Sequence, residues 1–349
     1  MGRHMTTLAS GLADAHEVHL LAPETDAALL AAARAAGATA VPLPGATEAA
    51  RSEALRRWLL DNPVDLLHVH GGVSSEGCDA VVAATDLGVR VVRTEHQPLR
   101  SPSRSGVAPY LQVAALVERL VAVSEGVARS FTAGGVPDEL VAVVRNGILE
   151  PRPGGPKPAL LARLGLPATA RVLLTVGRLD EQKGYPGLLA AAERVLPRHP
   201  DVHFLLVGEG PQEDEIRQAV VSPGLAGRVQ LLGQRDDVHD LLHASYALVS
   251  PSLYEGLPLV VLEAMAAGLP VVGTRVTGTE EAVEDGVTGR LVPAADPDAL
   301  AQALLGLLED PETAAAWGAA GRRRFEAKFT AEQMVSETLK VYEDIAHLP

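Results

Sequence analysis

Cysteine and aromatic residues are scarce in this sequence, and each shortage excludes a class of protein. Cys78 is the single cysteine among 349 residues, so an internal disulfide is excluded and a reducing compartment is indicated. Aromatic residues make up only 3%, which disfavours a surface on which nucleic-acid bases stack. No apolar run reaches the ~18–20 residues of a membrane-spanning helix, and residues 1–15 lack the apolar core of a secretion signal. These absences predict a cytoplasmic protein.

Basic residues are also few, because the sequence has 30 Lys and Arg but 44 Asp and Glu, which gives a formal net charge of -14. Such a chain repels nucleic acid on average, so we expect no nucleic-acid partner. Hydrophobic residues make up 47% and charged residues 21%, as in an ordinary globular protein. The chain is long enough for two domains, each with its own core.

Short apolar runs alternate with alanine-rich helical stretches along the whole chain. In the first half, strands are predicted at residues 17–21, 40–43, 65–70, 90–94, 119–123 and 140–144. In the second half, they are predicted at residues 171–176, 203–207, 229–232, 247–250 and 270–274. Apolar strands that alternate with helices indicate buried parallel sheets. The predicted fold class is α/β, with two Rossmann-like doubly wound domains that face a cleft.

Residues 148–161 separate the two halves and contain four prolines and two glycines, a composition typical of an interdomain hinge. We therefore predict an N-terminal domain over residues 1–150 and a C-terminal domain over residues 151–330. The last segment, residues 331–349, reads as a helix that we expect to cross back onto the first domain.

The first motif with chemical content is "VLLTVGRLDEQKGYPGLLAAAERV", residues 172–195. It predicts a strand ending at Val176, a turn at Gly177 and a helix beginning near Tyr185. Arg178 and Lys183 then lie beside the positive end of a helix dipole, an arrangement that suits a phosphate group. By itself the motif is also compatible with two solvated charges that flank a turn.

The second motif, "SPSLYEGLPLVVLEAMAAGLPVVGT" at residues 250–274, is more specific. Pro258 is expected at the first helical position, and Gly268 at the end of that helix. Glu255 precedes the helix, where the Gly256 and Leu257 amides would point toward a bound anion. Glu263 lies on an apolar helix, and a carboxylate there can accept both hydroxyls of a ribose. The alternative is a salt-bridged core glutamate, which is unusual on so apolar a helix.

Four segments, "GRLDEQKG", "LLVGEGP", "LYEGLPLVVLEAMAAGLPVV" and "EDGVTGRLVP", make the chain resemble the retaining glycosyltransferases of the GT-B class, family 4. The resemblance implies that Arg178 and Lys183 hold the donor diphosphate and neutralise the leaving nucleotide. It implies that Glu255 hydrogen-bonds the hydroxyls of the donor sugar and that Glu263 binds the ribose. Arg235, in "LLGQRDDV", falls near a loop that contacts the donor.

The first domain resembles the family less sharply. His96, in "VRVVRTEHQP", lies just past a strand end and corresponds to a histidine that the family keeps near the reacting sugar. "VVRNGI" places Asn146 at the cleft end of the last strand before the hinge, where we expect it to bind the donor. The alternative for both residues is a structural role. The resemblance implies no metal and no cofactor, with a nucleotide diphosphate sugar such as a UDP- or GDP-sugar as donor. A lipid, a small metabolite and a glycan stay open as acceptors, and peripheral membrane association is compatible with the first of these.

The beginning of the chain departs from the family pattern. Family members open with a strand and a glycine-rich loop ahead of a stretch like "GRHMTTLASGLADAHEVHLLAP", whereas this sequence begins inside that stretch. The first domain is therefore expected to lack its first strand, and we expect that the start has been assigned too late. A nucleotide-sugar-binding protein without transferase activity, and an epimerase or phosphorylase of the same fold, remain alternative interpretations.

Three further patterns are interpreted as structural. His239 and His243 have a spacing that can bind zinc, but with no third ligand apparent we expect a surface helix. "DPD" at residues 296–298 is explained by capping of the next helix. Arg322–Arg324 are expected to form a solvated helix face.

Overall fold

In the computed structural model, residues 1–72, 75–100, 104–150 and 157–346 are described. The chain divides into two compact units. Unit 1 comprises Met1–Leu149 and Phe329–Pro349, and unit 2 comprises Glu150–Lys328. Residues 151–156 of the predicted hinge lie outside the described residues, and so do residues 347–349 at the end of the predicted final helix.

Unit 1 alternates strands and helices, and its last helix comes from the end of the chain. Its elements are α1 (Gly2–Leu12), β1 (His19–Pro23), α2 (Ala27–Ala35), β2 (Thr39–Leu43), α3 (Glu48–Asp61), β3 (Leu67–Gly71), α4 (Cys78–Thr85), β4 (Val91–Glu95), α5 (Arg104–Ala114), β5 (Arg119–Ala122), α6 (Glu125–Ala133), β6 (Val141–Val143) and α15 (Ala331–Ala346).

The strands of unit 1 form two separate parallel sheets. β1 pairs with β2, and the second sheet has the order β3-β4-β5-β6. Among the described residues no ladder joins β1 to β3. A two-stranded sheet needs packing to be stable, and β1 obtains it from α1 and α2 through a core that includes Leu20, Leu30 and Ala33.

α1 and α15 pack together over the four-stranded sheet. Leu8 and Leu12 of α1 share one core with Met334 and Ile345 of α15 and with Val92 of β4. Gly11 permits this contact, because a Cβ there would lie 2.4 Å from a methyl group of Val335. The final helix therefore belongs to the core of unit 1.

Unit 2 contains a single six-stranded parallel sheet with helices around it. Its elements are α7 (Lys157–Arg163), β7 (Arg171–Val176), α8 (Tyr185–Val195), β8 (Val202–Val207), α9 (Glu213–Ala219), β9 (Val229–Leu231), α10 (Val238–Ala244), β10 (Ala247–Ser250), α11 (Leu259–Ala266), β11 (Val271–Thr274), α12 (Thr279–Ala282), β12 (Gly289–Val292), α13 (Pro297–Glu309) and α14 (Pro311–Lys328).

The strand order of unit 2, β12-β11-β10-β7-β8-β9, contains one reversal of direction. From β7 the chain proceeds outward through β8 and β9, then crosses back to β10 on the other side. The chain therefore leaves β7 and β10 toward opposite sides of the sheet, and the switch point lies at the carboxyl ends of these two adjacent strands. In open parallel sheets ligands bind at this switch point.

Two sequence predictions about unit 2 were wrong in detail, and one strand was not predicted. β12 was not predicted, because this short edge strand begins at a glycine and carries the exposed Arg290. Pro258 is the N-cap of α11 and not its first helical residue. Arg322 and Arg324 are not a merely solvated face, since they donate to main-chain carbonyls that include Ala266 and Ala282.

Other local predictions were confirmed. Asp296 caps α13, because its side chain accepts a hydrogen bond from the Ala299 amide at 2.9 Å. His239 and His243 lie on α10, where the His243 ring bonds to the His239 carbonyl. Gly268, with φ +69°, follows the end of α11. None of the helices in the described part of the chain is both long and apolar enough to cross a membrane.

Candidate functional site

The loops after β7 and β10 are joined at the switch point of unit 2. The Leu253 amide donates to the Gln182 carbonyl at 2.7 Å. Gly184 has φ +66°, and a Cβ at this position would lie 2.3 Å from the Pro251 carbonyl oxygen. Only glycine allows this approach of the two loops, which brings two of the predicted site residues, Lys183 and Glu255, to the same place.

Lys183 and Glu255 form an ion pair at this point. Lys183 Nζ lies 2.5 Å from Glu255 Oε1, and the two side chains are 19% and 4% exposed. Glu255 also accepts hydrogen bonds from Ser252 Oγ at 2.7 Å and from Gln182 Nε2 at 3.3 Å. These three donors compensate the buried carboxylate. A small cavity beside the pair is lined in part by Lys183, Ser252 and Glu255.

Arg178 and Arg235 have different surroundings from Lys183. The Arg178 side chain is 73% exposed and lies 3.7 Å from Asp180, so its guanidinium is available to a ligand. Arg235 makes a bidentate contact with Asp237, at 2.6 and 2.7 Å. This contact lowers the pKa of the Asp237 carboxyl. Arg235 is therefore engaged with an aspartate of its own loop, between β9 and α10.

Glu263 is a buried charged residue of α11, with 3% of its surface exposed. It is surrounded on its own helix by the buried residues Leu262, Ala264 and Met265. Gly256 and Leu257 lie in the loop that leads into this helix and are also buried. Gly278 packs on that loop with φ +76°, since a Cβ there would lie 1.9 Å from the Gly256 carbonyl oxygen.

Unit 1 brings His96 into a cluster of imidazoles. His96 follows β4, and its Nε2 lies 3.2 Å from Nδ1 of His70 on β3. His4 of α1 is edge-on to His96, with ring centroids 4.7 Å apart. The His4 Nδ1 lies 2.9 Å from the Asn146 amide oxygen. Asn146, predicted beside the donor, therefore lies in unit 1 as a partner of His4.

Burial sets the protonation of this cluster. It lowers the pKa of His4 to about 4, and the hydrogen bond to Asn146 offsets only part of the effect. Burial also lowers the pKa of His68 to about 3, and that of His70 and His96 well below the usual value. His68 bonds to Tyr342 and Thr94, each at 2.6 Å. All four imidazoles are therefore neutral at pH 7.

A buried ion pair supports the end of β4 directly before His96. Arg93 and Glu95 are 0% and 1% exposed, and the Arg93 guanidinium donates to the Glu95 carboxylate. Tyr110 of α5 donates a second hydrogen bond to Glu95 at 2.8 Å. Burial raises the pKa of Glu95 to about 7, although the pairing with Arg93 opposes this shift.

Several residues of these sites were not predicted from the sequence. Ser252 and Gln182 were not singled out, although both lie within a few residues of Glu255 or Lys183 in the quoted motifs. Gly278 and His4 carry no signal of their own, since each matters only through a neighbour that is distant in the chain. His4 and Asn146 are 142 positions apart.

Two family models match the chain, one over each unit. The model described as Glycosyltransferase Family 4 matches residues 1–149. The model described as Glycosyl transferases group 1 matches residues 170–310. Together they extend over most of both units.

Curated relatives align over most of their length. The phosphatidyl-myo-inositol mannosyltransferase of Mycolicibacterium smegmatis is 31% identical over 362 residues, covering 98% of this chain and 89% of that protein. The alpha-maltose-1-phosphate synthase of the same organism is 34% identical over 315 residues, covering 80% of this chain and 79% of that protein.

Solved structures share the fold. Anabaena HepE in complex with UDP and glucose superimposes with a TM-score of 0.87 at 22% identity, covering 98% of this chain and 95% of that one. Sucrose-phosphate synthase from Thermosynechococcus elongatus superimposes with a TM-score of 0.78 at 24% identity, covering 97% of this chain and 92% of that one. These similarities confirm the predicted fold of two Rossmann-like domains.

Proposed function

The chain belongs to glycosyltransferase family 4, the group 1 glycosyltransferases, and we propose that it is a retaining enzyme that moves a hexosyl group from a nucleotide diphosphate sugar to an acceptor hydroxyl. The observation that carries this proposal is the Lys183–Glu255 pair at the switch point of unit 2. The pair combines a cation that can bind phosphate with a carboxylate that can accept hydrogen bonds from sugar hydroxyls, beside one small cavity. Neither a metal nor a cofactor enters the proposed reaction.

Donor binding changes the partners of this pair. Lys183 turns from Glu255 toward the diphosphate, and the exposed Arg178 closes on the same group. Glu255 keeps its bonds from Ser252 and Gln182 while it accepts the sugar hydroxyls. The bond between the anomeric carbon and the diphosphate oxygen breaks, and its electrons leave with the diphosphate. The acceptor hydroxyl oxygen forms the new bond to the anomeric carbon and gives its proton to the departing diphosphate oxygen. The two cations stabilise that developing charge, which is the main catalytic contribution.

His96 is a further residue of the proposed reaction. Its neutral imidazole can accept a hydrogen bond from a sugar or acceptor hydroxyl, and His70 at 3.2 Å orients its ring. The family histidine that it resembles lies near the reacting sugar. The acceptor is a compound with a free hydroxyl group. One relative is a phosphatidyl-myo-inositol mannosyltransferase and another is an alpha-maltose-1-phosphate synthase, so the relatives support no single class of acceptor.

Glu263→Ala is expected to weaken donor binding. Loss of hydrogen bonds from the ribose hydroxyls to a charged acceptor removes about 1.5–3 kcal/mol, or about 10- to 100-fold in Kd. The donor is first identified by thermal stabilisation with UDP-, GDP- and ADP-sugars, because a ligand of the folded state raises the melting temperature. Calorimetry with that donor then measures the variant.

Glu215→Ala, at an exposed glutamate of α9, is the matched control for loss of a carboxylate from unit 2. Glu263→Gln preserves side-chain volume and serves if the alanine variant is unstable. Unchanged donor affinity in both Glu263 variants would contradict the ribose role. Mass spectrometry of the products separates sugar transfer from epimerisation and phosphorolysis, and the anomeric configuration by NMR tests retention.

Gly278→Ala is expected to disturb the donor loop. The new methyl group would collide with the Gly256 carbonyl, which is 1.9 Å from its position. Gly286→Ala is the matched control, since Gly286 has a similar φ of +77° but no atom within 4 Å of its Cβ position. Both substitutions cost about 1–2 kcal/mol of backbone strain. Calorimetry should show a reduced donor affinity only for Gly278→Ala. Equal donor affinities in the two variants would show that the close approach of residue 278 to the Gly256 carbonyl does not affect donor binding.

A further inference from the structure

Three histidines from separate elements of unit 1 converge on one point. His4 comes from α1, His70 from β3 and His96 from the residue after β4. One ring nitrogen of each lies within 4.8 Å of the other two. His70 and His96 are partly exposed, so solvent and small ions reach them, whereas His4 is 3% exposed and forms the floor.

The separations approach those of a metal site. Zn–N bonds of about 2.0–2.1 Å at tetrahedral angles place ligand nitrogens about 3.3 Å apart. His70 Nδ1 and His96 Nε2 already lie at 3.2 Å. The nitrogen of the third imidazole, that of His4, lies within 4.8 Å of the other two, so metal binding requires it to approach them by up to about 1.5 Å. The set has three imidazoles and leaves a fourth position open toward solvent.

The ligand that comes from α1 is oriented by its outer partner. With the Asn146 amide oxygen as acceptor, His4 Nδ1 carries the proton and Nε2 keeps its lone pair. Metal-binding histidines are usually held in this way, with the second ring nitrogen donating to a carbonyl or carboxylate oxygen.

We propose that His4, His70 and His96 form a binding site for a borderline divalent transition metal, with Zn²⁺ as the reference ion and water at the fourth position. An all-imidazole set suits Zn²⁺, Co²⁺, Ni²⁺ and Cu²⁺ and does not suit Mg²⁺ or Ca²⁺, which prefer oxygen ligands. The metal takes the ring nitrogen of His96 that faces His70. With the metal on that nitrogen, Nε2, the proton of the neutral ring is on Nδ1, so the imidazole can no longer accept a hydrogen bond from a hydroxyl. Metal binding and the role of His96 in sugar transfer therefore exclude each other, which makes the ion an inhibitor.

Cobalt provides the direct test, because tetrahedral Co²⁺ has characteristic visible absorption bands. The full chain, stripped of metal, should bind one Co²⁺ with these bands, and Zn²⁺ should displace it. His70→Gln and His96→Gln should each weaken Zn²⁺ binding at least about tenfold in competition with a chelating indicator. Asn146→Ala should weaken it about 10- to 100-fold, as loss of an outer partner does in other sites.

The histidine pair on α10 provides the matched control. His239→Gln removes an imidazole that is four residues from His243 in unit 2, and it should leave the cobalt bands and the Zn²⁺ affinity unchanged. Circular dichroism and melting temperatures verify that each variant is folded. Absence of saturable binding in the wild type overturns the proposal. The proposal is also overturned if the Zn²⁺ affinity is unchanged in the His70→Gln variant and in the His96→Gln variant but is lost in the His239→Gln variant.

Inhibition is measured separately, because it rests on the proposed function while metal binding does not. Zn²⁺ should inhibit sugar transfer over the concentration range in which it fills the site, and a chelator should restore the rate. Binding without inhibition would support the metal site and contradict the role of His96. Inhibition in the absence of the spectroscopic signature would contradict the site.

Discussion

Arg178→Ala is expected to reduce turnover by about 10²–10³-fold while the protein remains folded. Removal of one group that stabilises charge in the transition state typically has an effect of this size. The Arg178 side chain is 73% exposed and lies 3.7 Å from Asp180, and so exposed a partner contributes little to stability. Steady-state kinetics with the identified donor measures turnover, and a melting curve measures stability.

Lys183→Ala should reduce turnover to a similar extent but also lower stability. Lys183 is the cation that compensates the buried Glu255 carboxylate, and Ser252 and Gln182 replace only part of that compensation. The two cations are therefore distinguished by their effect on stability and not by their effect on rate.

The control for both variants is Arg217→Ala. Arg217 is 60% exposed and pairs with Glu213 within α9, so it resembles Arg178 in exposure and in having one acidic partner. Its removal should leave turnover unchanged. Near-native turnover in purified Arg178→Ala and Lys183→Ala would disprove the assignment of the diphosphate site.

Arg93→Met is expected to destabilise unit 1 by about 3–5 kcal/mol, the usual consequence of removing one partner of a buried ion pair. Arg93 and Glu95 are 0% and 1% exposed, so no solvent replaces the lost guanidinium. The decrease in the free energy of unfolding should be greatest above pH 7, where the Glu95 carboxyl is charged and needs a partner. It should be smaller below pH 7, because burial raises the pKa of Glu95 to about 7 and the carboxyl is then protonated. Urea unfolding of the wild type and the variant at a series of pH values measures this difference in stability.

The double variant Arg93→Met with Glu95→Leu tests the cause. When both charges are replaced by apolar groups of similar size, most of the stability should return. The double-mutant cycle then gives the coupling free energy of the pair. A loss below about 1 kcal/mol in Arg93→Met at high pH, or no recovery in the double variant, would show that the pair contributes little.

The alternation of strands and helices was predictable because buried parallel strands are continuous apolar runs. β7 and β10 have the predicted bounds, and most other strands differ by one or two residues at an end. β12 escaped because an edge strand buries less surface and so needs fewer apolar residues. The division of unit 1 into two sheets was not predicted.

The residues of the proposed donor site could be singled out from the sequence where they are close to one another in the chain. Glu255, Glu263 and their glycine and proline neighbours lie within one short motif, and Arg178 and Lys183 lie within another. The sequence did not reveal that Lys183 pairs with Glu255, since that contact spans 72 positions. It depends on the return of the chain to β10 beside β7.

The sequence by itself determined the α/β class, the two-part organisation and the donor motifs of this protein, because local periodicity and short motifs specify them. Tertiary structure decided which loops meet at the switch point, which histidines converge and which charges are buried. His4, His70, His96 and Asn146 are carried by separate elements, and the packing of α1 on the sheet brings them together. Contacts of this kind depend on the whole fold, and no local pattern encodes them.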